Sequence, residues 1–387
     1  MELTVIGVGQ VGAALLRQVD RMQRQLPELI GEPLVVRHGV VRHPHRHRGC
    51  PTPTHGYTTD AEAAVLDPAV DLVVELAGGR SWAPLLERVV GRGVPVVTAN
   101  KELAAWHGPQ IRRVARAAGT DVWMEASVGG AIPVLRTLEL SWPGYSFQYL
   151  AGVLNGTVNF VLEQMAAGQS LSAALAAAQA AGLAEADPEA DLSGRDTQRK
   201  LAVLMQLAFG VAVSPEDIPT RGIGAVDASQ VQRWRRRGYR VKLLAQAWHG
   251  AAGVAAVVGP AVVPAAHPLG HLSGAENAVL LSGPDTGDAL LMGVGAGGGP
   301  TASAVLADIV AAARVRRGHA GLSWCRPIQD NVPWVDHPLA VAWGAENPPG
   351  LRRLSPRALD SWRRQEASAE EPLWWWERDA AQVGMPG

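Results

Sequence analysis

Cysteine is almost missing from this chain of 387 residues: only Cys50 and Cys325 occur, far apart and outside any CxxC spacing. Neither a disulfide framework nor a thiolate zinc site can be built from them, and such usage fits a reducing cytoplasm. Net charge is nearly missing as well. Thirty-five Lys and Arg against 36 Asp and Glu leave a formal charge of −1. No overall field therefore draws the chain to nucleic acid or to an anionic membrane, and charged ligands must be held by local clusters. Small molecules are the expected partners. Long apolar runs are missing too: the stretches near Leu201–Val213 and Ala251–Ala266 are shorter than the ~20 residues of a membrane span, or are broken by Gly and Pro. The opening MELTVIGVGQ carries no basic segment and reaches glycine at residue 7, unlike a secretory signal. No internal repeat is found.

What is present is an apolar fraction of 47%, enough to supply two or three domains with a core each. From residue 2 to about 126, β-branched runs alternate with amphipathic segments: LTVIGV, Val11–Arg24, LVVRHGVV, a helix near Asp60–Leu66, DLVVELAG, a helix near Ser81–Arg92, VPVVTA, a helix Glu102–Ala118 and DVWMEA. That rhythm predicts an α/β fold, a Rossmann-like, doubly wound parallel sheet. Past Gly129 the texture changes. Asn155–Gly156 reads as an Asn-Gly turn, Leu171–Ala181 as an Ala-rich helix and Asp196–Val211 as an apolar helix, which together predict a second, α+β domain. The expected boundaries are 1–128 for the dinucleotide domain, 129–300 for the second domain and 301–317 for a helix that returns to the first. A Trp- and Pro-rich extension over 318–387, with Trp374–Trp376 within it, has no assignable role.

The string GVGQVG places Gly7, Gly9 and Gly12 directly after a strand and directly before a helix. The first glycine permits the tight turn, the second lets backbone approach a pyrophosphate, and the third lets helix and strand pack closely, with the helix N-terminus facing the phosphates. At the end of the second strand, where an acidic residue would accept a ribose 2′-hydroxyl, there is none. Arg37, Arg42, His43, Arg46 and Arg48 stand there instead. They suit the 2′-phosphate of NADP, with NAD possible; a solvated basic loop and a histidine metal site are the competing readings.

Three longer strings narrow the chemistry: VVTANKELAA (Val96–Ala105), EASVGGAIPVLRTL (Glu125–Leu138) and GLAEADPEADLSGRDTQRKLAVL (Gly182–Leu204). With LNGTVNF, RGI, KLLA, HPL at His267, NAV at Asn277 and GAGGGPTASAVLADI, they resemble homoserine dehydrogenase over roughly residues 3 to 315. The resemblance implies reversible, nicotinamide-dependent interconversion of L-aspartate 4-semialdehyde and L-homoserine in threonine and methionine biosynthesis, by a cytoplasmic homodimer whose second domain serves substrate binding and dimerisation. It also implies that the residues matching Glu125, Val128, Gly130 and Ile132 hold a sodium ion, three of them through backbone carbonyls. Cofactor contacts are expected at Gly7, Gly9, Val11, Gly12, Arg42, Thr98, Lys101, Gly182 and Gly297, those at Gly182 and Gly297 by similarity alone.

The residues also speak for themselves. Positions 196, 200, 203, 207 and 211 share one helical stripe, so Asp196 and Lys200 head a row continued by Val203, Leu207 and Val211 and point inward, with Arg199 and Gln206 on another face. A desolvated lysine beside a carboxylate can pass a proton to or from a substrate oxygen; the resemblance assigns that role to Lys200, and the competing reading is an exposed ion pair. A substrate with an α-ammonium group needs anions, and Glu185 and Asp196 suit that need, although Glu185 and Asp187 also fit a plain acidic connection. Lys101, just after a strand, can reach cofactor or substrate oxygen or simply face water. TVN at Thr157–Asn159 departs from the family's commoner TTN, and the tail resembles no regulatory amino-acid-binding domain, which puts feedback control through such a domain in doubt. A reductase of another small amino-acid semialdehyde and a silent nucleotide-binding paralogue are the alternatives.

Overall fold

The computed structural model describes residues 1–142, 144–251, 253–317 and 332, together with the backbone of Trp374–Trp375. The rest of the 318–387 extension lies outside the described residues. Two compact units emerge among the described residues: Met1–Pro143 with 296–317, and Gly144–Gly295 with 374–375.

In the first unit, β1 (Glu2–Ile6), β2 (Val35–Val40), β3 (Tyr57–Thr58), β4 (Leu72–Glu75), β5 (Val96–Thr98) and β6 (Val122–Trp123) form one sheet in the order β3-β2-β1-β4-β5-β6. Every pairing is parallel, so the doubly wound sheet read from the sequence is present. Leu3, Val5, Leu72, Val74 and Val97 are buried in it, as the β-branched and leucine-rich runs require of a sheet covered on both faces. The order reverses between β1 and β4, where ligands of such sheets bind outside the strands' carboxyl ends.

The helix Gly298–Arg316 belongs to this unit. It starts within the glycine-rich string rather than at residue 301 or 304, and it packs its Val305, Ile309 and Ala312 into the same core as Leu15, Leu16 and Val19 of the helix Gln10–Arg21. Val305 and Ile309 are fully buried. At about 1.5–3 kcal/mol per buried aliphatic side chain, they outweigh the ~1 kcal/mol cost of a glycine inside a helix. Residues 129–142 also stay with the first unit, so the division falls about fifteen residues later than the change of sequence texture. The reason is local: the Glu125 carboxylate accepts hydrogen bonds from the amides of Leu135 and Arg136, which folds this segment back.

The second unit is built on β7 (Tyr149–Val153), β8 (Tyr239–Gly250), β9 (Gly253–Pro264), β10 (Glu276–Gly283) and β11 (Gly287–Val294), in the order β11-β10-β7-β8-β9. All these pairings are antiparallel; the two-residue strand Trp374–Trp375 adds to β9 in parallel. Tyr149, Ala151, Leu244, Trp248, Val257 and Leu280 make up one buried cluster on this sheet. The hairpin β8–β9, two strands of 12 residues each, is buried along nearly its whole length, which hid its period of two. The Asn155–Gly156 turn is corrected. Asn155 caps the helix Gly156–Ala166, its side chain accepting from the Val158 amide at 2.9 Å, because Asn is as good a helix cap as a turn former.

A Cβ at Gly12 would sit against the Gly7 carbonyl oxygen, inside any allowed contact distance, whereas one at Gly9 would meet nothing within 4 Å. Gly12→Ala should therefore destabilise the protein by about 1–3 kcal/mol, the cost of overpacking, and Gly9→Ala should not. Thermal unfolding of the two variants checks this; equal midpoints would contradict it.

Candidate active site

The glycine loop leaves β1 at the switch point. Gly7 adopts φ +91°, and a Cβ there would lie 2.6 Å from the Ala77 amide nitrogen, so only glycine fits between the ends of β1 and β4. Gly9 occupies the N-cap of Gln10–Arg21 with no side-chain cap and open space around it. Uncapped amides and empty room at one helix N-terminus suit a pyrophosphate. Val11 lies in the first turn, half-buried.

Beside this loop the carboxylate of Glu75, fully buried at the end of β4, accepts from the amides of Ala77 and Gly78 at 2.8 and 2.9 Å and from the Thr98 hydroxyl at 2.8 Å. Burial pushes its pKa up, and these donors oppose that rise. The Thr98 hydroxyl accepts in turn from the Asn100 amide, and the Asn100 side chain caps the helix Lys101–Ala117 and donates to the Gly79 carbonyl at 2.7 Å. Thr98 thus spends its side chain on ordering two loops, and Lys101, half-buried, begins a helix at the carboxyl edge of the sheet. Glu75 was missed in the sequence, although a carboxylate heading the glycine pair of ELAGG was the available signal.

The basic loop sorts itself by partner. Arg37 is held by Asp67 at 2.7 Å and Glu2 at 3.2 Å. Arg48 donates to the carbonyls of His43 and Arg46 and stacks on Tyr57. Arg42, His43 and Arg46 are exposed. Among the described residues no group of three or more His, Cys, Asp or Glu is arranged to hold a metal, so the histidine metal reading finds no support.

At residues 125–136, burial and then the charge of Asp308 push the Glu125 carboxyl up to about 8. Asp308, also raised by burial, accepts from the Glu125 amide and pairs with Arg136. Val128 and Gly130 are buried, and among the described residues their carbonyls accept no hydrogen bond. The Ile132 carbonyl accepts from Val134 at 2.8 Å.

In the second unit, the helix Arg195–Ala208 begins after Gly194, at φ +82°. Asp196 and Lys200 are 2% and 8% exposed, and the Lys200 Nζ lies 2.7 Å from the Asp196 Oδ2. The exposed-pair reading is thereby removed. Lys200 also donates to the Leu154 carbonyl at 2.7 Å, so two of its three N–H bonds are committed and one is left for a ligand oxygen. The Asn155 amide nitrogen, with two protons, donates to Asp196 Oδ2 at 2.9 Å and to Asp191 Oδ1 at 2.7 Å. From the sequence Asn155 reads as a turn residue rather than part of the site, and nothing there singles out Asp191. One expectation needs correction: Gln206 is 2% exposed, so the helix is buried on more than the stripe headed by Asp196.

Glu185 and Gly182 stand exposed on the preceding loop, which is tied down by the Thr157 hydroxyl donating to the Leu183 carbonyl at 2.6 Å. No hydrogen bond or ion pair connects Glu185 to Asp196 or Lys200. Gly297 caps the start of Gly298–Arg316 at φ +121°.

Known proteins match this arrangement along the chain. Residues 7–125 fit the family description "Homoserine dehydrogenase, NAD binding domain", and residues 133–310 fit "Homoserine dehydrogenase". A homoserine dehydrogenase of Corynebacterium glutamicum is 36% identical over 341 residues, 86% of this chain and 76% of its own. The solved homoserine dehydrogenase of Thiobacillus denitrificans superposes with a TM-score of 0.80 at 34% identity, covering 87% of this chain and 79% of its own. A hyperthermophilic archaeal homoserine dehydrogenase, solved in complex with NADPH, shares the fold at a TM-score of 0.69 and 22% identity, over 83% of this chain and 99% of its own. Both parts of the chain are matched in order, and 36% of the aligned residues are shared with a relative over 76% of that relative's length, so the chain belongs to the homoserine dehydrogenase family of oxidoreductases.

Proposed function

We propose that the chain interconverts L-aspartate 4-semialdehyde and L-homoserine with NADP(H), using Lys200 as the proton-transferring group and Asp196 as its orienting partner. The observation that carries this reading is a buried lysine with one uncommitted N–H beside a buried carboxylate. Bound nicotinamide supplies or accepts the hydride. In the reducing direction negative charge develops on the substrate's aldehyde oxygen, and an ammonium in a dry site both stabilises that charge and can deliver a proton to the oxygen. Asp196 fixes the ammonium by an i,i+4 contact, and Asn155 fixes Asp196. Lys101 contributes a second cation toward cofactor or substrate oxygen. The exposed Glu185 carboxylate, without a partner among the described residues, suits the substrate's α-ammonium group, with Asp196 as the second anion.

The cofactor loop Gly7–Gly12, with Val11, Thr98, Gly182 and Gly297, forms the proposed dinucleotide contacts. For the choice between cofactors, Arg42 is exposed, and among the described residues it has no hydrogen-bond or ion-pair partner, while Arg37 and Arg48 are already engaged. A 2′-phosphate on Arg42 makes NADP the preferred cofactor. An NADPH complex is known for the archaeal protein, which agrees with this reading without deciding it.

The segment 125–132 fits a monovalent cation. Buried carbonyls of Val128 and Gly130 that accept no hydrogen bond among the described residues are hard oxygen ligands, and Glu125 and Ile132 complete the expected set. A homodimer in the cytoplasm completes the proposal; sedimentation of the purified chain checks its oligomeric part.

Purified protein should oxidise NADPH with L-aspartate semialdehyde well above its rate with other small amino-acid semialdehydes, and replacing sodium and potassium by a bulky organic cation should slow it. Equal rates across substrates would favour the related reductase, and equal rates across buffers would remove the cation. Arg42→Ala should weaken NADP binding about tenfold to a hundredfold, since a guanidinium–phosphate contact is worth about 1.5–3 kcal/mol, and leave NAD binding unchanged. Fluorescence titration reads both affinities. Unchanged NADP affinity would show the basic loop to be merely solvated.

A further inference from the structure

The second unit holds a cavity of about 410 Å³ lined by none of the candidate site residues described above. Its walls come from the end of the helix Gly156–Ala166, the end of the helix Ala228–Arg236, the start of β8 and the helix Pro268–His271. Arg235, Arg240, Lys242 and His271 face it, with Glu163 as its one acidic side chain.

Lys242 is 4% exposed, and its Nζ donates to the Asn159 Oδ1 at 2.6 Å and to the Leu272 carbonyl at 2.5 Å. Arg235 donates to the Ala166 carbonyl at 2.8 Å, and Arg240 to the Tyr239 carbonyl at 3.0 Å. Among the described residues, each of these hydrogen bonds ends on a neutral acceptor, and none of the three cations forms an ion pair with a carboxylate. Glu163, the acid within reach, gives its carboxylate to the Gly274 amide at 2.7 Å.

Neutral acceptors satisfy the geometry of an ammonium or guanidinium without cancelling its charge. Burial pushes the Lys242 pKa down to about 8, with the charge of Arg240 adding to the fall and the charges of Glu163 and Glu276 opposing it. Among the described residues each arginine commits one of a guanidinium's five N–H bonds and Lys242 two of its three, so the two guanidinium forks keep most of their donors and the ammonium keeps one. Planar forks and a buried ammonium around one cavity are the donor set that a tetrahedral, doubly charged oxyanion accepts, whereas a singly charged carboxylate would leave much of the charge uncompensated.

We propose that this cavity binds a phosphate group, either inorganic phosphate or the phosphate of a small ester, with Arg235, Arg240 and Lys242 as its donors. The volume exceeds that of a bare phosphate and falls within the range of small-molecule sites.

The test is calorimetric titration of the intact protein with its dinucleotide site saturated by NADPH, which keeps that site from taking phosphate, at constant ionic strength in potassium chloride. Inorganic phosphate and glycerol 3-phosphate are the two probes. One saturable site per chain is expected for at least one of them, and the tighter probe identifies the source. Arg235 and Arg240 are exposed and half-buried, so the double variant Arg235→Ala/Arg240→Ala should fold, and it should bind at least tenfold more weakly. Lys200→Met should bind as wild type does, because Lys200 is not a wall of this cavity. Absence of a saturable site with both probes, or equal affinity in the double variant, would overturn the proposal.

Discussion

Lys200 and Asp196 stand one helical turn apart with a tenth or less of either side chain exposed, and the surrounding chain has to make that arrangement tolerable. Removing an ion from water costs several kcal/mol even after relaxation, so a buried pair persists only when the remaining donors and acceptors are also met. Here several of them are met from outside the helix. The Leu154 carbonyl, one residue past the end of β7, takes a second ammonium proton, and Asn155 donates to Asp196 while capping the next helix. The same asparagine draws in Asp191, and through that aspartate it ties the acidic loop to the pair. A strand end, a cap and a loop are thus positioned by the requirement of two charges, and breaking either partner would leave an uncompensated ion worth about 3–5 kcal/mol.

The first unit meets the opposite requirement, keeping room rather than filling it. Gly7 and Gly12 are closed in by backbone, while Gly9 faces open space at an uncapped helix N-terminus. Next to it the buried Glu75 uses backbone amides and Thr98 to stay satisfied. A carboxylate beside a phosphate-binding loop would repel its ligand if it faced the loop. Glu75 instead turns its oxygens onto the protein, and what it contributes is the shape of the turn after β4.

Much of this was legible in the sequence, and the parts that were not have physical reasons. The glycine spacing, the βα alternation and the inward stripe at 196 and 200 each follow from a local rule, and each is found. Asn155 was read as a turn because its side chain serves turn and cap equally well, and only the Val158 amide distinguishes them. The second unit's sheet escaped notice because β8 and β9 are buried along nearly their whole length, which erases the alternation that marks a strand with one wet face. The partners of Glu125 lie about ten residues away at Leu135 and Arg136 and far along the chain at Asp308. A contact across 183 positions leaves no periodic trace. The basic loop shows the reverse: five basic side chains look equivalent in the string, and only the fold reveals that Arg37 and Arg48 are taken.

The most direct test of the central claim, that the Asp196–Lys200 pair carries the chemistry, is the steady-state kcat of Lys200→Met at saturating cofactor and substrate, with folding and NADPH binding verified on the same preparation. Methionine keeps the volume of the stem and removes the charge. Loss of a positioned acid–base group should lower kcat by about 10²–10⁴ with cofactor affinity retained. A folded variant with kcat within about threefold of wild type, under 1 kcal/mol of barrier, would contradict the assignment.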